Sequence, residues 1–195
     1  AYTKLLIHSD TTEDYTAFID SSPSGHTVTR VADTQHKIAQ KKFGATSMYF
    51  DGTGDYLTVP HSSDFDFGTG DFTIDLWVRF ASFGSYPNLL NHNGANWAIY
   101  LTGNSTINFA IEGGTASQSY TFSADTWYHI AITRSGTDLC HFVDGVQIGS
   151  TTANLSNISG SSTLYIGSNP TPGDYFQGYM DEIRITKGTA LWTQD

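Results

Sequence analysis

Glutamate is scarce in this 195-residue chain: Glu13, Glu112 and Glu182 are the whole supply. A retaining polysaccharide-cleaving site needs two carboxyl groups ~5 Å apart. Asp181 and Glu182 are adjacent, so on a regular strand they would point to opposite faces. Gly-x-Ser-x-Gly, His-Glu-x-x-His and a glycine-rich phosphate loop before a helix are also missing. Catalysis is therefore disfavoured, although an aspartate-only site assembled in space stays open. Cys140 is the single cysteine, so no internal disulfide can form; inside the Leu139–Val143 pattern it reads as a buried structural thiol. Disulfide usage leaves the compartment open. No run of ~20 apolar residues exists to span a bilayer as a helix. Charged residues make up 14% of the chain, against ~25% in average globular chains. Nine Lys and Arg stand against 19 Asp and Glu, a net charge of −10. That balance disfavours nucleic acid and anionic membranes, both of which require a basic surface. It suits solubility first and cation binding second. The chain opens at Ala1 without Met or a secretory leader, and is expected to be a mature fragment or a domain of a longer protein.

What the chain has in quantity is alternation. The organising stretch is Ser47–Phe80. Met48 and Phe50 lead into Asp51-Gly52-Thr53-Gly54, then Tyr56, Leu57 and Val59, which reads as strand, tight turn, strand. Pro60 ends the second strand by removing a ladder donor. Phe72, Ile74, Leu76, Val78 and Phe80 then alternate with Thr73, Asp75, Trp77 and Arg79, the period of a half-buried strand.

Before this stretch, Lys4–His8 predicts a first strand, Phe18–Gly25 a turn cluster, His26–Val31 an edge strand, and Ile38–Gly44 one helical turn. After it, Leu89-Leu90, Trp97–Leu101, Ile107–Ile111 and Tyr120–Phe122 predict short strands separated by Gly and Asn turns. Trp127–Arg134 and Leu139–Ile148, the latter with Asp144-Gly145 at its centre, predict a long strand and a second hairpin. Leu164–Gly167 and Gly178–Lys187 complete about a dozen strands. With hardly any helix, an all-β, two-sheet antiparallel sandwich over residues 1–195 follows, because every strand has one apolar face to bury.

Two places could hold a sugar, which needs an aromatic platform ringed by amides and carboxylates on a rigid surface. One is the polar face of the third long segment and its neighbour: Asp75, Trp77, Arg79 and His129. The other is a loop set, Tyr86, Asn88, Asn91, His92, Asn96 and Trp97. The plainer readings are packing for Trp77 and a same-face ion pair for Asp75 and Arg79. His8, His26 and His141 lack partner spacing and read as structural or exposed.

The chain also resembles a known family. Phe50-Asp51-Gly52, Gly54-Asp55-Tyr56, the strand Phe72–Arg79, the Trp127–Arg134 strand with its Phe142-Val143-Asp144-Gly145 turn, and Met180–Arg184 are similar, in order, to motifs of the laminin-G/pentraxin-like branch of the concanavalin A-like lectin/glucanase superfamily. The resemblance implies a concanavalin A-like jelly roll. It implies a structural calcium on the convex side, held by Asp10 or its neighbouring carbonyls, the Gly52 carbonyl and Asp181. The alternating two-glutamate, one-aspartate strand of the family's glucanases is missing here. The closing Gly188–Thr193 is similar to phage-encoded members, and implies an extracellular or virion-surface setting. The expected function is non-catalytic carbohydrate recognition in a secreted or phage tail protein, with a structural or adhesion module lacking a glycan ligand as the alternative, and a glycan-cleaving enzyme behind it. The expected partners are a glycan and the flanking domains or sister chains of a larger protein, with neither nucleic acid nor membrane insertion.

Overall fold

In a computed structural model, residues 2–92, 97–111, 114–154, 156–171 and 174–193 are described. They form fifteen strands: β1 (Thr3–Ile7), β2 (Thr29–Val31), β3 (Gln35–Lys37), β4 (Ser47–Asp51), β5 (Tyr56–Val59), β6 (Phe72–Phe80), β7 (Asn88–His92), β8 (Trp97–Thr102), β9 (Thr106–Ile111), β10 (Gly114–Ser119), β11 (Trp127–Ser135), β12 (Asp138–Val143), β13 (Val146–Ala153), β14 (Leu164–Ile166) and β15 (Gln177–Lys187). Eight build one antiparallel sheet, ordered β13-β12-β11-β6-β15-β4-β3 with β1 also on β15. Seven build the other, β10-β9-β8-β7-β14-β5-β2. The two sheets pack as the expected sandwich. The only helical element among the described residues is a 3-10 turn at Ser63–Phe65.

The alternation of β6 sets the inside and outside of the eight-stranded sheet. Phe72, Ile74, Leu76, Val78 and Phe80 are all fully buried. They meet Leu57, Leu90, Ile99, Phe109 and Ile166 from the inner face of the opposite sheet, in one core cluster. Burying each such side chain stabilises the fold by ~1.5–3 kcal/mol. The hairpin after β12 turns as its sequence requires, with Asp144 at φ 50° and Gly145 at φ 80°, the double positive-φ pair of a tight hairpin.

At one end of the core Arg134, on β11, points inward and is wholly buried. Its guanidinium donates to the carbonyls of Gly68 (2.8 Å), Gly70 (2.6 and 3.0 Å) and Ser156 (3.0 Å) and to Asn154 Oδ1 (3.1 Å). Five N–H groups in a fixed fork let one residue satisfy two loops at once.

Three local expectations differ. Ile38–Gly44 forms bends, not a helical turn: Asp10 and Asp181 accept from the backbone N–H groups of Ala45 and Phe43, holding that end of the segment against the sheet. The strand near Tyr120 and Phe122 is displaced to Gly114–Ser119, because those two rings leave the ladder to pack against Tyr128. The dozen strands become fifteen through short elements such as β3, too short for periodicity to register, while the edge strand expected at His26–Val31 shortens to β2. Cys140 is 3% exposed, as expected of a structural thiol.

Candidate functional site

The outer face of the eight-stranded sheet carries the polar half of β6. Register places Asp75 beside Ala131 of β11 and Arg184 of β15, and Trp77 beside His129 and Asp181. Asp75 is 4% exposed. Arg184 donates to both its oxygens, Nε to Oδ2 at 2.9 Å and Nη2 to Oδ1 at 3.1 Å. His129 Nε2 lies 3.4 Å from Oδ1. Trp77 is half-buried, with its ring centroid 5.2 Å from the His129 ring and 5.5 Å from that of Phe43, which meets it edge-on. The Lys42 ammonium sits 3.9 Å from the indole centroid, a cation–π contact. Phe43, Asp75, Trp77, His129 and Arg184, with Leu6 and Glu182, line an open cleft of about 360 Å³.

The C-terminal segment packs beside His129 and Arg184. Thr73 accepts from the Leu191 amide and donates to the Thr189 carbonyl, and Thr133 donates to the Trp192 carbonyl. Trp192 thereby lies over Ala131, Cys140 and Phe142. Its ring is 5.1 Å from His129 and 5.6 Å from the Arg184 guanidinium. A second cleft, of about 660 Å³, adjoins it: its lining shares Phe43 and Glu182 and adds His8, Asp10, Tyr15 and His36.

A β-bulge shapes the floor between the clefts. The β15–β6 register shifts between Asp181 and Arg184, and Glu182 adopts φ 50°. Bulges re-aim side chains in this way. Asp181, 1% exposed, accepts from the Phe43 amide (3.2 Å) and the Glu182 amide (2.9 Å). Burial pushes its carboxyl up to about 6, and the neighbouring Glu182 charge adds to the rise. Glu182 reaches His8 Nδ1 at 2.8 Å and lines both clefts. The expectation that these two acids occupy opposite faces is thus corrected: the bulge breaks the alternation on which it relied.

Asp75, Trp77 and His129 come together as expected; Arg79 does not join them. It pairs with Asp125 at 2.9 Å and lies 5.8 Å from the Tyr179 ring, while Asp75 pairs with Arg184. Of the second set, Trp97 is 2% exposed and donates its indole N–H to the Phe65 carbonyl at 3.0 Å. It is a core residue and presents no platform. His92 is fully buried against Phe65 and Trp97, and burial lowers its imidazole to about 4. Asn91 is half-buried and donates to Asn88 Oδ1 at 3.1 Å. Tyr86, 49% exposed, meets Tyr100 edge-on. Asn96 lies outside the described residues. Missed by the sequence reading were Arg184, Phe43 and Trp192. The only available signal was aromatic and basic residues beside strands of matching polarity, which names no partner.

The molecule's relatives accord with this architecture. A family model described as the concanavalin A-like lectin/glucanases superfamily, Laminin_G_3, matches residues 51–194. The chain belongs to this superfamily. No curated protein matches the sequence. Among solved structures, the binding domain of Paraclostridial Mosquitocidal Protein 1 is similar with a TM-score of 0.78 at 15% identity, over 97% of this chain and 49% of that one. A structure of botulinum neurotoxin type C, whose cell entry is dependent upon interaction with two ganglioside molecules, gives 0.73 at 15% over 96% and 48%. The binding domain of botulinum neurotoxin DC in complex with SialylT gives 0.72 at 15%, over 96% and 48%. At that identity the likeness is one of fold, and the chain spans about half the length of each.

The calcium set that membership in this superfamily suggested does not assemble. Asp51 pairs with Gln177 across β4 and β15, so Gly52 lies beyond that pair while Asp181 lies roughly 13 Å along the strand in the other direction. The Cβ direction of Gly52 faces the Gln177 side chain. Asp10 and Asp181 do meet at one loop, where they accept the Ala45 and Phe43 amides. These acids hold backbone, and the three residues cannot share one ion.

Proposed function

We propose that this chain is a non-catalytic carbohydrate-recognition module that holds its glycan in the cleft over Trp77. One observation carries the reading. Trp77, His129 and Phe43 gather aromatic surface around the Asp75–Arg184 pair in an open cleft on the sheet, with Trp192 packed behind His129. Apolar sugar C–H faces suit the rings, and hydroxyls suit the carboxylate and guanidinium edges. The fold neighbours support the same class: one toxin's cell entry depends on two ganglioside molecules, and another's binding domain is complexed with SialylT. The parent is read as a secreted or virion tail protein, at the cell exterior or virion surface, on the strength of the Gly188–Thr193 resemblance.

The test is a glycan array run on wild type and Trp77→Ala, in calcium and in chelator. Binding to a defined glycan family, lost in Trp77→Ala and unchanged by chelator, is the expected result. A blank array with folded protein supports a structural or adhesion module instead. Release of products from a bound polysaccharide supports an enzyme. A second surface has its own observation. On the outer face of the seven-stranded sheet Tyr56 lies 5.9 Å from Tyr165 and 6.5 Å from Tyr175, beside Asn91, which pairs with Tyr165. Glycan binding lost in Tyr165→Ala and retained in Trp77→Ala would move the site there.

A further inference from the structure

Three side chains converge at one end of the seven-stranded sheet, away from the Trp77 cleft. His61 follows Pro60, where β5 ends. Asp66 follows the 3-10 turn. His92 closes β7. One ligand atom from each, a ring nitrogen from either histidine and a carboxylate oxygen from Asp66, lies within 4.8 Å of the other two. The two imidazoles are stacked, with centroids 5.9 Å apart and planes 16° from parallel. Burial is graded from the exposed His61 through the half-buried Asp66 to the fully buried His92. We propose that His61, Asp66 and His92 form a binding site for a divalent transition-metal ion of the zinc class.

The donor set decides the class of ion. Calcium and magnesium take oxygen ligands, whereas two imidazoles and one carboxylate suit zinc, nickel, copper or iron. Donor atoms around a tetrahedral ion with bonds of ~2.1 Å sit ~3.4 Å apart. The set is therefore slightly open, and the exposed His61 ring can close it by side-chain rotation. The inner two ligands are already oriented. Asp66 Oδ1 accepts the Gly160 amide at 2.9 Å. His92 is hydrogen-bonded to the Ser162 backbone. Such outer contacts fix a ligand's direction before an ion arrives.

The neighbouring acid is otherwise engaged. Asp64 pairs with Lys4 at 2.9 Å, accepts from Ser24 at 2.7 Å and lies 3.4 Å from His26. Three protein ligands leave at least one position open on the His61 side, for water or an exogenous donor. An ion there would cross-link the end of β5, the turn after it and β7, and would favour the folded state by mass action.

The experiment uses the untagged chain, stripped with chelator. Zinc is titrated calorimetrically, cobalt is titrated by its visible absorbance, and thermal unfolding is followed with and without zinc. The variants are His61→Ala, whose side chain is exposed, and Asp66→Asn, which keeps an acceptor for Gly160. His8→Ala, at the separate His8–Glu182 pair, is the control. One ion per chain is expected, with affinity reduced about tenfold or more in each site variant, wild-type behaviour in the control, and a zinc-dependent rise in melting temperature only where the site is intact. Absence of saturable binding overturns the site. Full wild-type affinity in either folded site variant does so as well, since all three residues are required.

Discussion

His141 offers a quantitative test of the core, because it sits where an apolar residue would ordinarily be. On β12 it faces inward between Leu139 and Val143, opposite Ile132 of β11, at 1% exposure. Burial lowers its imidazole from 6.5 to about 4, with the nearby Ala116 backbone partly opposing the drop. A folded-state value below the unfolded one means that the unfolded chain binds the proton first. Stability from this group is therefore complete above pH 6.5 and is lost as pH falls towards 4. At ~1.4 kcal/mol per unit, with the last part not yet lost at the midpoint, the loss between pH 7 and pH 4 is ~3 kcal/mol. His141→Leu removes the titration and conserves size and burial, so at pH 7 the variant should lie within ~1.5 kcal/mol of wild type. Urea unfolding of both proteins at half-unit steps from pH 7 to pH 4, in chelator, measures the difference directly. The gap between the two curves should move by ~3 kcal/mol in favour of the variant as pH falls. Because it is a difference, it cancels every other titrating group. Parallel curves would refute the argument.

Three further perturbations follow from the same contacts. Asp181 runs with the opposite sign. Its carboxyl is raised from 3.8 to about 6, so the ionised form costs stability at pH 7, and acidification from 7 to 4 recovers roughly 2 kcal/mol; Asp181→Asn should lose that recovery in the same urea series. Arg134→Met leaves the Gly68, Gly70 and Ser156 carbonyls and the Asn154 amide oxygen without their buried donor. It should cost roughly 4 kcal/mol in chemical denaturation, and a loss under ~1 kcal/mol would mean that water replaces the guanidinium. Gly178, at φ 145°, faces the Arg79 carbonyl so closely that any Cβ would collide with it. Gly178→Ala should therefore lower the melting temperature by several degrees, since it must displace β15 from β6 where Gly178 pairs with Phe80.

The sandwich was legible because its signal is local. Phe72 to Phe80 alternates without a break, and five consecutive inward positions leave one way to place the strand. Asp144-Gly145 announces its own turn for the same reason. Legibility ended where an element was too short to show a period, as at β3, or where a ladder stopped for a tertiary reason, as at Tyr120. Trp97 and His92 show a different failure. Both lie next to an Asn-rich loop, and polarity of neighbours suggested exposure. Yet Trp97 packs on Phe67 and Phe109, and His92 on Phe65, because β7 and β8 carry them into the core.

The cleft was half legible, and the missing half shows what a one-dimensional reading can reach. Asp75, Trp77 and Arg79 share a face by arithmetic alone. Which of them acts together is decided by residues far away in the chain. Arg184, 109 positions from Asp75, takes the carboxylate that local spacing assigned to Arg79. Asp125 then takes Arg79. The bulge at Asp181–Arg184 is decisive here. Residues 182 and 183 occupy the span that Leu76 fills alone on β6, so Arg184 is restored to the outer face opposite Asp75. Were these same residues to alternate without the bulge, Arg184 would point into the core and Asp75 would be a buried charge without its guanidinium. The positive φ of Glu182 therefore sustains the ion pair at the centre of the cleft. Deleting Glu182 should restore plain alternation, with Ile183 opposite Leu76 and Arg184 still opposite Asp75, so the ion pair should survive while the contact of Glu182 with His8 is lost; nuclear magnetic resonance should retain the hydrogen-bonded Arg184 Nε–H signal, and its loss would refute the register argument.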